Sequence, residues 1–89
     1  MNEEEKMTSI YLLQGKSPSE LGLEFEDAGE LLSRYQLLIE EQLQIMEKTN
    51  EDNLGKKLTL ARVFRKTREL AQIFIEADIL TRPPARQGN

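Results

Sequence analysis

The chain has 89 residues, 38% apolar, 31% charged and 6% aromatic, with 12 Lys+Arg against 16 Asp+Glu for a net charge of −4. It contains neither Cys nor His, which excludes thiol nucleophiles, disulfides, Cys/His zinc sites and imidazole-based catalysis. A chain of this size buries only about 60–65% of the surface it exposes when unfolded, so one small soluble domain with a marginal core is expected.

The segment from Glu3 to Gln14 carries Met7, Ile10, Tyr11, Leu12 and Leu13, followed by Gly15. This pattern predicts a short helix that docks its Ile10/Tyr11/Leu13 face and ends with Gly15 as its C-cap. A strand over the same residues has no second strand to pair with. The acidic start, Met1-Asn2-Glu3-Glu4-Glu5, lacks the basic and apolar regions of a signal peptide, and no run of about 18 apolar residues occurs. A cytoplasmic protein without a membrane span is therefore expected, and the absence of disulfide staples fits that compartment.

Ser17-Pro18-Ser19-Glu20 has the form of a capping box with Pro at the first helical position. A helix that started there would hold Gly22 and Gly29 in its interior at about 1 kcal/mol each against Ala. Either a break near Gly22 to Glu26 or close helix packing at Gly29 is expected. Gly15-Lys16-Ser17 matches the end of a phosphate-binding loop, but Ile10 stands where its first glycine belongs.

From Ala28 the apolar residues recur at helical spacing through Leu31, Leu32, Tyr35, Leu38, Ile39, Ile45 and Met46. A second stripe runs through Leu60, Val63, Phe64, Leu70, Ala71, Phe74 and Ala77, with Leu54, Leu58, Ile73, Ile75, Ile79 and Leu80 outside it or at its edges. The polar stretch Thr49–Asn53 is short enough to make the two helices antiparallel neighbours, with Thr49 or Asn50 as the second helix's N-cap. The predicted fold is all-α: a single domain over residues 1–80, made of a helical hairpin over about 27–80 with a short N-terminal helical segment against it. Residues 81–89, which include Pro83-Pro84, are expected as a flexible tail.

Charge is distributed unevenly. Residues 1–53 carry 13 acidic and 4 basic groups, whereas residues 54–89 carry 3 acidic and 8 basic ones. In a hairpin turning near residue 52, facing positions add to about 104, which sets Glu47 near Lys57, Glu40 and Glu41 near Arg62 to Lys66, and Arg34 near Glu69 or Leu70. Such cross-hairpin pairs would select the register at about 0–1 kcal/mol each. Asp78 falls on the inward stripe and needs a partner, for which Arg34, Arg82 or a tyrosine hydroxyl would serve. The carboxylates Glu24, Glu26, Asp27 and Glu30 lack the spacing of a calcium loop and read as a solvated helix start.

With no convergent polar pair, the chain is read as non-enzymatic, without metal, cofactor or small-molecule substrate. The expected function is that of an interaction module, an adaptor, small chaperone or regulatory or accessory subunit, working through Tyr35, Leu38, Ile39 and Ile45 and through Ile73, Ile75, Ile79 and Leu80. Its partner is another protein or a second copy of itself, the latter forming a four-helix bundle as a homodimer. The alternative is a nucleic-acid-associated regulator using the basic band Lys56, Lys57, Arg62, Arg65, Lys66 and Arg68, against which stand a pI near 4.9 and the lack of interleaved aromatics.

Overall fold

The computed structural model describes residues 1–82, which form three α-helices, α1 (Glu3–Leu13), α2 (Phe25–Lys48) and α3 (Leu54–Thr81), with one 3-10 turn at Ser19–Leu21. The expected tail lies outside the described residues from Pro83 onward, while Thr81 closes α3 and Arg82 is its C-cap.

The start of α1 is fixed by a reciprocal cap. The Asn2 side chain accepts from the Glu5 backbone N–H at 2.8 Å, and the Asn2 N–H donates to Glu5 Oε1 at 3.0 Å. Three glutamates in the first turn also suit the positive end of the helix dipole. The C-cap is Gln14 rather than Gly15; Gly15 follows it at φ 105, and the Lys16 N–H returns to the Tyr11 carbonyl. Ser17 and Glu20 do bond each other's backbone N–H groups, yet they cap only the single 3-10 turn. Gly22, left-handed at φ 70, ends it. The expected break is therefore present, and α2 begins at Phe25, two residues before the predicted start.

The turn between α2 and α3 corrects the predicted cap. Thr49 is the C-cap of α2, its hydroxyl bonded back to the Ile45 carbonyl at 2.8 Å, and Asn50 takes the left-handed conformation at φ 53 that closes the helix. Asn53 is the N-cap of α3, accepting from the Lys56 N–H at 3.0 Å. Three cap-competent residues thus divide the work of ending one helix and opening the next.

α2 and α3 pack side by side as an antiparallel hairpin, and α1 lies against both. Leu12 of α1 joins Ala28, Leu31 and Leu32 of α2 and Ala71 and Phe74 of α3 in one buried cluster. Phe25 stacks on Phe74 with ring centroids 6.2 Å apart. Ile39 and Met46 continue the buried line of α2 toward the turn. The buried hydroxyls of Ser9 and Thr67 are satisfied by the carbonyls four residues back, those of Glu5 and Val63.

Gly29 sets the hairpin spacing. A Cβ placed there would stand 2.9 Å from Ile75 Cγ1 and 3.4 Å from the Ala71 carbonyl oxygen, so the absent side chain lets the two helices approach closely. The predicted break and the predicted close packing thus both occur. Gly29 against Ile75 also matches the expected register.

Candidate interaction surfaces

At about 100° per residue, the buried positions Thr67, Ala71 and Phe74 fix the inward side of α3, and everything opposite them faces outward. That outward side carries Leu58, Arg62, Arg65, Lys66, Glu69, Ile73 and Leu80, all exposed. Ile73 is 56% and Leu80 84% exposed, seven residues apart on one flank. Ile75 and Ile79 lie on the other flank, at 39% and 63%.

The predicted partner residues therefore do not form one face. Ile39 is buried in the hairpin core and is not available to a partner, because it sits on the inward stripe of α2 with Leu32 and Met46. Tyr35 and Leu38 are half-buried, and Ile45 is exposed near the turn. Tyr35, Ile10, Leu13 and Val63 line a cleft of about 330 Å³ between the end of α1 and the hairpin, with Arg62 and Lys66 also on its walls. Leu37, Leu54 and Leu58 are exposed too; Leu54 and Leu58 are among the residues outside the second stripe, though not among the expected partner residues, and Leu37 is in neither set. Their signal in the sequence is that they are large apolar residues off the stripe.

The charges are arranged differently from the prediction. Arg34 binds Glu5 at 2.7 Å rather than Glu69, and Lys56 binds Glu51 in the turn at 3.4 Å. Among the described residues, no ion pair joins Glu47 to Lys57 or Glu40 and Glu41 to Arg62, Arg65 or Lys66; Arg82 to Glu26 at 3.4 Å is the ion pair across the hairpin. For Glu41 the reason is directional. Glu30 and Glu41 point away from α3, and Arg62, Arg65 and Lys66 point away from α2, so the hairpin has an acidic edge and a basic edge.

Asp78 is resolved simply. Its carboxylate binds Arg82 at 2.6 Å, and this hydrogen bond holds the Arg82 guanidinium above its ordinary pKa. Glu24, Glu26, Asp27 and Glu30 are all exposed at the start of α2, and among the described residues no group of acidic side chains is placed to hold a metal ion.

The Glu5–Arg34 pair ties α1 to α2 and carries a pH dependence. The backbone hydrogen bond from Asn2 and then the Arg34 guanidinium hold the Glu5 carboxyl below the usual carboxylate range. A depressed pKa in the folded state stabilises docked α1 above the ordinary carboxylate value, and this contribution is lost as pH falls through the depressed one. Carboxyl NMR should place the Glu5 midpoint below that of a free glutamate, and Arg34→Gln should move it only part of the way back, because the Asn2 bond remains. A Glu5 midpoint in the free-glutamate range would contradict this assignment.

No known protein family, characterised protein or solved structure matches this chain. No helix of the described residues is long and apolar enough to cross a membrane.

Proposed function

We propose that this chain is a non-enzymatic interaction module of the cytoplasm, an adaptor, small chaperone or accessory subunit that presents apolar surface of α3 to a helix of another protein. The observation that carries this reading is the exposure of Ile73 and Leu80 on one flank of a helix whose opposite side is already filled by α2. Large aliphatic side chains at i and i+7 are the anchor spacing of a helix laid along another helix. The nearby Arg62 and Lys66, free of ion pairs among the described residues, would favour an acidic rim on the partner. Self-association into a four-helix bundle is the simplest version of the same idea.

The test compares wild type with Ile73→Ser/Leu80→Ser as bait in extracts of the native cell. Both substitutions are at exposed positions, so circular dichroism should show unchanged helix content, while the proteins captured by wild type should be lost from the variant. Equal capture by a folded variant would refute the reading.

The nucleic-acid alternative retains one favourable observation, the outward cluster Arg62, Arg65 and Lys66, which makes no ion pair among the described residues. It requires binding to duplex or single strands that falls steeply with salt and disappears when all three residues are changed to Gln. Absence of binding at low salt removes it.

A further inference from the structure

We propose that two copies of this chain pair through the back face of the hairpin, the face opposite α1, with α2 of each copy lying over α3 of the other. This pairing goes beyond the reading above, because it uses a face of the hairpin other than the flank that carries Ile73 and Leu80.

α1 occupies one face of the hairpin, marked by Arg34 and Tyr35 on α2 and by Val63 and Lys66 on α3. The opposite face has no covering element among the described residues. Its α2 side carries Glu40 and Glu47, with half-buried Leu43 at the seam against α3, and its α3 side carries Lys57, Ala61 and Arg68, with Ile75 and Ile79 toward the end of the helix. Two helix widths of about 10 Å along about 40 Å of paired helix give a footprint of about 800 Å², the size that one partner contributes to a specific interface.

Charge selects both the occupant and its orientation. The α2 side of this face is acidic and the α3 side basic, so a two-fold axis parallel to the helices brings opposite signs together twice. At the height set by Gly29 against Ile75, Glu47 of one copy meets Lys57 of the other and Leu43 meets Ala61. Arg68 stands within about one turn of the second copy's Glu40. The alternative two-fold, which stacks α2 on α2, would oppose glutamates to glutamates and cations to cations. Among the described residues of one copy neither Glu47 nor Lys57 makes an ion pair, which leaves both for this contact.

Sedimentation equilibrium of the full chain from low to high micromolar concentration should show a reversible dimer, twice the 10.3 kDa chain mass. Ala61→Glu, at an exposed position, should be a folded monomer throughout. Glu47→Lys and Lys57→Glu should each weaken dimerisation about tenfold, whereas mixing the two should restore a heterodimer of wild-type strength, since both charge pairs re-form. A wild-type monomer at every concentration, a dimer indifferent to Ala61→Glu, or a mixture no tighter than its components would each overturn this pairing. None of these results bears on capture through Ile73 and Leu80, which lie on the far side of α3 and are tested separately.

Discussion

Leu32→Ala is expected to destabilise the fold by about 3 kcal/mol and to lower the thermal midpoint by about 12–24 °C. Leu32 is fully buried at the point where α1, α2 and α3 share one apolar cluster, so truncation removes its contacts within the packing of all three helices. In a domain of this size such a loss is a large part of the total stability. Leu37→Ala, on the same helix but exposed, should change stability by less than about 0.5 kcal/mol. Thermal unfolding followed by circular dichroism distinguishes the two, and equal effects would mean that Leu32 is not at the core.

Gly29→Leu should cost about 2–3 kcal/mol, while Gly29→Ala should be close to neutral. Replacing a mid-helix Gly by Ala gains about 1 kcal/mol of helix propensity. Against this gain, the new Cβ at 2.9 Å from Ile75 Cγ1 forces a partly exposed side chain to move. The larger Leu has no such escape, since its further carbons would meet the Ala71 carbonyl and the Ile75 backbone nitrogen and push the helices apart. A Leu variant as stable as wild type would show that the helices do not approach closely at this point.

The hairpin was legible because the α2 stripe keeps the helical period from Ala28 to Met46, with Gln42 its one polar position, and a short polar segment follows it. The turn was less so. Thr49, Asn50 and Asn53 can all cap, and what assigns their roles is the left-handed backbone of Asn50, which no side-chain preference alone reveals. The ion pairs were misread for a different reason. Counting charge along the chain gives the height of Glu41 and Arg62 on the hairpin but not their direction on the helix, and they point to opposite edges.

The candidate site followed the same logic. Ile39 read as a partner residue because it belongs to a strong apolar stripe, but that stripe is the one α3 covers, so membership of it argues for burial. Leu37, Leu54 and Leu58, off the stripe, are left in solvent, and so is Ile45 at its turn end. Ile73, Ile75, Ile79 and Leu80, expected as surplus apolar surface, are all exposed, because a single α2 cannot cover more than one side of α3.

The central claim is that α3 meets its partner through the flank that carries Ile73 and Leu80. Site-specific photo-crosslinking in the native cell tests it most directly, with the crosslinking side chain at position 73 in one sample and at exposed position 30, on the acidic edge of α2, in another. The account predicts discrete adducts to another protein from position 73 and few or none from position 30. Equal adducts from both positions, or none from position 73, would contradict it.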